Sequence, residues 1–380
     1  MISLYRCDQY EEGRVMESLR QAIAALGGWE AYLTPQDTVL LKLNLVMNKR
    51  PEAAATTHPV FVKALIRLLQ EYGCRVVIGD SPGGLFNVTA LGRIYRGTGI
   101  ESIAEETGAI LNHNTGSMDV QNPDGQVMKS LTMTAMLRDV DKVISVSKLK
   151  THGMMTFTGA VKNMFGVIPG TMKAEYHVRM PQADDFADAL LDICHAAAPV
   201  LSFMDGIIGM EGNGPTGGRP RAVGAVLASS NPYQLDLAAC SLIGLSMEQV
   251  PTLRRAYARG WIPSSADELE WSGDPREEFY VGDFKLPDHI ESDLIGKNLP
   301  SFLAKPVNAL LRPKVTFHHD ICVGCGACAA NCPAKVITMK DHRPYADYSS
   351  CIRCYCCQEL CPKNAVSVRE SRLFKLVRRW

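Results

Sequence analysis

The chain has 380 residues, 46% of them hydrophobic and 21% charged, with 40 Lys and Arg against 40 Asp and Glu and so no net charge. That length exceeds one ordinary core and suits two or three globular domains. The neutral balance speaks against a nucleic-acid binder, no apolar run reaches the roughly 18 residues of a membrane span, and Met1–Asp8 lacks a signal-peptide core, so a cytoplasmic protein is expected.

The first 160 or so residues alternate strand and helix signals. Ile2 to Tyr5 is a short apolar run, followed by a helical pattern from Glu11 to Leu26. Thr38 to Leu43 reads as a buried strand. His58 to Tyr72 carries Val62, Leu65, Ile66 and Leu69 at helical spacing, and Gly73 stops it. Cys74 to Asp80 is the next strand, ending in the loop residues Ser81-Pro82-Gly83-Gly84. A helix near Ser102 to Thr107, a strand at Ala109 to Leu111, a turn at Asn122-Pro123-Asp124-Gly125 and a strand at Lys142 to Val146 follow. Ala183 to Ala197 is a helix, Leu201 to Asp205 and Ala222 to Ala228 are strands, and Pro232 to Ile243 is a helix capped by Asn231. This alternation predicts an α/β domain over residues 1–285, with a large, mostly parallel sheet covered by helices. Ligands bind such sheets at the carboxyl ends of the strands. Residues 286–313 are punctuated by proline and read as a linker with one short amphipathic helix.

Thirteen cysteines are many for a cytoplasmic protein, and nine of them fall between Cys322 and Cys361. Dense packing at short fixed spacing reads as metal ligation rather than a disulfide scaffold. Cys322-x2-Cys325-x2-Cys328-x3-Cys332-Pro333 is one bacterial ferredoxin run, and Cys351-x2-Cys354-x2-Cys357-x3-Cys361-Pro362 is a second. In such runs three thiolates hold one cubane and the fourth cysteine ligates the other cluster. A first [4Fe–4S] cluster is therefore expected on Cys322, Cys325, Cys328 and Cys361, and a second on Cys351, Cys354, Cys357 and Cys332. Zinc needs only four ligands and has no use for this eight-cysteine period. Cys356 fits neither run and reads as a packed thiol beside a cluster. The small ferredoxin-like α+β module spans 314–368, followed by a basic tail, 369–380. The tail reads as a terminal helix rather than a membrane anchor, because about ten residues offer little apolar area.

Six phrases recur in one known family: Leu41-Lys42-Leu43-Asn44, Thr56-Thr57-His58-Pro59, Gly79-Asp80-Ser81-Pro82-Gly83, Lys148-Leu149-Lys150-Thr151-His152, Gly159-Ala160-Val161-Lys162-Asn163-Met164-Phe165-Gly166 and Met210-Glu211-Gly212-Asn213-Gly214-Pro215. With them the chain resembles the family named domain of unknown function 362. Members of this type carry a C-terminal ferredoxin module and come mostly from anaerobes. Leu43 departs from the pattern, which has proline there. The family's chemistry is generally unassigned, so the resemblance implies fold and clusters more than a reaction.

Each phrase is a strand end or glycine-rich loop with one or two ionisable groups. Lys42, Asn44, His58, Asp80, Ser81, Lys150, His152, Lys162, Asn163 and Glu211 are expected to meet at one rim of the sheet. Lys42, Asn44, Asp80, Ser81, Asn163 and Glu211 are the candidate ligand-binding residues, with Lys150, His152 and Lys162 the candidate catalytic ones. Lys and Asn there would hold a carboxylate or phosphate. His152 would donate a proton, its reference pKa lying near neutrality. His58 before Pro59 also fits a simple helix start, and Asp80 a loop cap. His113, His177 and His195 read as surface or satisfied core, and Cys194 and Cys240 as packed thiols. Gly212-x-Gly214-x-x-Gly217 matches a dinucleotide fingerprint only formally, because a strand-like segment follows it where a helix is required.

The expected function is an iron–sulfur oxidoreductase. It would take single electrons from an external donor, such as a ferredoxin or flavoprotein, and pass them to a small anionic substrate at the rim. A further cofactor (flavin, corrinoid or metal) is left open. The alternatives are an electron-transfer adaptor, an activation factor for another metalloenzyme, and a non-redox enzyme with structural clusters.

Overall fold

The computed structural model describes residues 1–287 and 313–369. Most of the expected linker and nearly all of the basic tail lie outside these residues.

The strands of the first domain are β1 (Ile2–Arg6), β2 (Thr38–Leu43), β3 (Arg75–Gly79), β4 (Ile110–Leu111), β5 (Ser117–Gln121), β6 (Ser130–Thr134), β7 (Lys142–His152), β8 (Thr156–Thr158), β9 (Leu201–Glu211), β10 (Arg219–Ser229) and β11 (Trp271–Gly273). All but β5 and β6 form one sheet in the order β11-β1-β10-β9-β7-β2-β3-β4, with β8 paired to β7. The pairings of β2 with β3, β2 with β7, β3 with β4, β7 with β9 and β1 with β11 are parallel. The sheet is thus mostly parallel, as expected, but β10 runs antiparallel between β1 and β9. The Gly212-Asn213-Gly214 phrase falls in the β9–β10 loop, before a strand.

Helices cover both faces. On one face α1 (Glu12–Ala25), α2 (Pro59–Tyr72), α3 (Val88–Gly97) and α4 (Ile100–Thr107) pack against Val39, Leu41 and Leu43 of β2. On the other are α5 (Ala160–Asn163), α6 (Lys173–Arg179), α7 (Ala183–Ala197), α8 (Pro232–Leu242) and α9 (Pro251–Ala258), whose core includes Leu40. Side chains alternate along a strand. Lys42, two residues beyond Leu40, therefore faces the α5 side at the carboxyl end of β2. Helix α2 shows why the local sequence folds so. His58 accepts from the Val60 amide at its start, Pro59 opens the first turn, and Gly73 closes it at φ 104°.

Strands β7 and β9 run past their expected ends, to His152 and Glu211. The continuation of β7 is polar, yet it is fully buried between β8 and β9.

The C-terminal module holds β12 (Lys314–Phe317), α10 (Ala327–Ala330), β13 (Ile337–Lys340), β14 (Arg343–Ala346), α11 (Cys356–Glu359) and β15 (Val366–Arg369). β12 pairs with β15 and β13 with β14, both antiparallel. Each half is strand, cysteine loop, short helix, strand, which matches the duplication visible in the sequence. Among the described residues, no helix is long and apolar enough to cross a membrane.

Candidate functional site

The two cysteine runs fold into two cavities. Cys322, Cys325, Cys328 and Cys361 line one, and Cys332, Cys351, Cys354 and Cys357 line the other. The loops must coil tightly to turn three thiols inward, and the backbone shows it. Gly324 and Gly326 have φ of 69° and 74°, and Arg353 and Tyr355, their counterparts in the second run, have φ of 61° and 60°. Glycine takes this left-handed region freely, whereas Arg and Tyr are strained there. Cys325 is exposed, whereas Cys354 and Cys357 of the second set are buried.

A third cavity, of about 300 Å³, lies between the module and the carboxyl ends of the strands. Lys42, Asn44, Asp80, Ser81, Lys150, His152, Lys162 and Asn163 line it from the first domain. Cys332, Cys356 and Glu359 line it from the module. Helix α11 is anchored there. Gln358 donates to the Asn213 carbonyl at 2.9 Å, and Thr216 donates to the Glu359 carbonyl at 2.8 Å.

Four buried or half-buried lysines meet at this cavity, each held differently. Lys42 pairs with Asp80 at 2.7 Å and donates to the Asn163 carbonyl at 2.8 Å. Lys150 has no carboxylate partner among the described residues; it donates to Asn44 Oδ1 at 2.7 Å and the Ala55 carbonyl at 2.6 Å. Lys173 donates to the Ser81 carbonyl at 2.6 Å. Lys162 shows no hydrogen bond among the described residues and sits 5.6 Å from the Phe165 ring centroid. Burial lowers the pKa of all four, and Lys173 is pushed down to about 7. Among the described residues only two carboxylates, Asp80 and Glu359, face these four amines, of which Lys173 is only partly protonated near pH 7. A cavity with that surplus attracts an anion.

His152 Nδ1 accepts from the amides of Met154 and Met155, both at 3.1 Å, so its proton sits on Nε2. Nε2 lies 2.8 Å from Glu359 Oε1 but is not aligned into a hydrogen bond. Burial, with Lys162 nearby, pushes the His152 pKa down to about 4. The imidazole is therefore neutral near pH 7, a hydrogen-bond donor rather than the charged acid expected from its reference value. Burial alone would raise the Glu359 carboxyl, yet His152 and Lys162 hold it below the usual carboxylate range.

Glu211 and His58 do not line this cavity. Glu211 ends β9, and its carboxylate accepts from the Lys285 amide at 2.9 Å, which ties it to the segment following the sheet. His58 caps α2 and stacks on Tyr10 at 3.5 Å between centroids. His177, expected at the surface or satisfied in the core, is buried beside the cavity with Nδ1 unpartnered. Lys173 and Glu359 also went unrecognised. Lys173 follows a loop without a motif, and Glu359 lies between cysteines whose spacing draws all the attention. Cys356 is buried and lines the lysine cavity rather than either cysteine cavity.

Residues 39–241 match the domain of unknown function family DUF362, and residues 321–365 match a 4Fe-4S dicluster domain. The chain belongs to the DUF362 family and carries an iron–sulfur ferredoxin-type domain. It is 35% identical over 288 residues to the thylakoid-associated protein sll1697 of Synechocystis sp., a match covering 76% of this chain and 88% of that protein. Among solved structures, it is similar to the lactate racemase apoprotein from Thermoanaerobacterium thermosaccharolyticum, with 12% identity, a TM-score of 0.41 and 63% of this chain covered. A Thermotoga maritima protein matches at 14% identity with a TM-score of 0.31 over 57% of this chain. The chain spans 56% and 55% of those two solved proteins.

Proposed function

We propose that the protein is an iron–sulfur oxidoreductase that passes single electrons through two [4Fe–4S] clusters to a small anionic ligand held in the lysine cavity. One observation carries this reading: Cys332 lines both the second cysteine cavity and the lysine cavity. Cys322, Cys325, Cys328 and Cys361 would hold one cluster, and Cys332, Cys351, Cys354 and Cys357 the other. Four thiols around each void suit a cubane, and the duplicated loops supply the shared fourth ligands. When bound, the clusters supply single electrons at low potential.

The rest falls to the chain's own side chains. Lys162, without another hydrogen bond among the described residues, binds the anionic group. Lys42 and Lys150, fixed by Asp80, Asn163 and Asn44, set the positive field. His152 offers its Nε2 proton as a donor. Helix α11 forms one wall of the cavity, and the burial it adds strengthens each of these contacts. The exposed Cys325 edge suits electron entry from a ferredoxin or flavoprotein donor. A reducing cytoplasmic setting keeps the thiolates available. A ligand-sized cavity favours a bound molecule over a docked protein as the acceptor.

The test is anaerobic. The reduced protein is mixed with a panel of small anionic metabolites while cluster absorbance is followed. Fast reoxidation by one anionic class is expected. Silence across the panel, with normal reoxidation by a protein acceptor, would replace this reading with the adaptor.

A further inference from the structure

We infer that Cys356 is a reacting thiol in the lysine cavity and that its substrate is a small anionic disulfide. The inference rests on the electron-transfer reading above and names the chemistry at its end point.

Cys356 stands outside both cysteine sets, yet lines the same cavity as Lys162, His152 and Cys332. It stands two residues from Cys354 and next to Cys357 of the second set, so it adjoins the proposed electron source. The other free cysteines outside the two sets, Cys7, Cys74, Cys194 and Cys240, are buried elsewhere and do not line the cavity. An internal disulfide therefore has no second thiol to use, and the sulfur that Cys356 exchanges with must arrive on a ligand. One further atom awaits that ligand: His177 Nδ1, buried at the cavity, has no hydrogen-bond partner among the described residues. Buried polar atoms are seldom left unsatisfied without a functional reason. The lysines select for negative charge. A disulfide also needs two electrons, one from each of two single-electron centres.

The Cys356 sulfur attacks one sulfur of R–S–S–R. The substrate S–S bond breaks, Cys356–S–S–R forms, and the thiol proton leaves with the first R–SH. Two electrons from an external low-potential one-electron donor, relayed through the cysteine-held clusters, and two protons from solvent then cleave the mixed disulfide. The second R–SH departs and the Cys356 thiol is restored. The sum is one disulfide, two electrons and two protons converted to two thiols.

The test uses the full cluster-loaded chain and dithiodiglycolate, a dianionic disulfide, as the probe. Oxidised protein incubated with it should gain one mercaptoacetate unit by mass, mapped to the Cys356 peptide. Reduced protein should be reoxidised by dithiodiglycolate and far more slowly by the neutral hydroxyethyl disulfide. In Cys356→Ser, iron content should be unchanged while reoxidation by dithiodiglycolate falls by roughly a hundredfold. If Cys356→Ser fails to assemble, the adduct on the native chain still decides. No adduct at Cys356, or undiminished reoxidation in Cys356→Ser, overturns the inference. Reoxidation only by anions without sulfur overturns it too, but leaves the oxidoreductase reading standing. Silence from every anion overturns both.

Discussion

The cysteine loops of the module and the rim of the sheet both gather like residues, but by different means. In the module eight cysteines lie within a short stretch, and each set is assembled mainly by neighbours three positions apart. At the rim, Lys42 meets Asn163 across 121 positions and Lys150 meets Asn44 across 106. The first arrangement is set by loop geometry, the second by the whole sheet. The lesson is that a local site survives changes elsewhere, whereas a site built from distant partners carries the fold's electrostatics with it.

The largest effect that would break this comparison is loss of a cluster. Cys354→Ala should lower bound iron from about eight toward about four per chain, measured on anaerobically purified protein. Unchanged iron would show that the spacing does not define the ligands. Next comes the buried pair that the rim does not use. Asp205 accepts from the Tyr10 hydroxyl at 2.8 Å and pairs with Lys148 at 2.8 Å, both side chains buried. Asp205→Asn strands the Lys148 ammonium, so stability in urea should fall by about 3–5 kcal/mol with iron content retained. A loss below about 1 kcal/mol would mean that Lys148 finds another partner.

The smallest effect is a slope. Burial pushes the His177 pKa down to about 4, against an ordinary value of 6.5. Between those values the unfolded chain holds more protons than the folded one, so stability is lost as pH falls from 6.5 toward 4. One such group contributes about 1.4 kcal/mol per pH unit. His177→Gln should flatten the acid limb of urea stability by about that slope. An unchanged slope would mean that His177 titrates normally and that its burial does not disfavour the charged ring.

These residues also mark what the sequence could reveal. Seven strands of the large sheet with five of their helices, the cysteine runs and most of the rim phrases could be read directly, because periodicity, spacing and short motifs are local. Lys42 stood out because a lysine inside an apolar strand needs a partner. The antiparallel insertion of β10 could not be read, since strand direction depends on which edge a segment joins. Nor could Glu359 or His177. Glu359 gains its role only when α11 docks against β7, and His177 only when α6 folds over the cavity. Glu211 shares a motif style with the rim residues but sits at the end of β9, where Lys285 takes its carboxylate. In Lys148-Leu149-Lys150, the pairing with β9 shifts register between the two lysines. One turns to Asp205 and the other to Asn44, a split that spacing alone does not foretell.

The most direct test of the central claim is Lys162→Met under anaerobic conditions. Reduced protein is mixed with the anionic acceptor that reoxidises the native chain fastest, and in parallel with a viologen dye that takes electrons at the exposed cluster edge. If the lysine cavity is where electrons leave, reoxidation by the anion should fall by roughly 10–100-fold, the equivalent of one lost charge-assisted contact, while the dye rate holds. Equal rates with the anion in both proteins would contradict the account and move the exit of electrons elsewhere on the molecule.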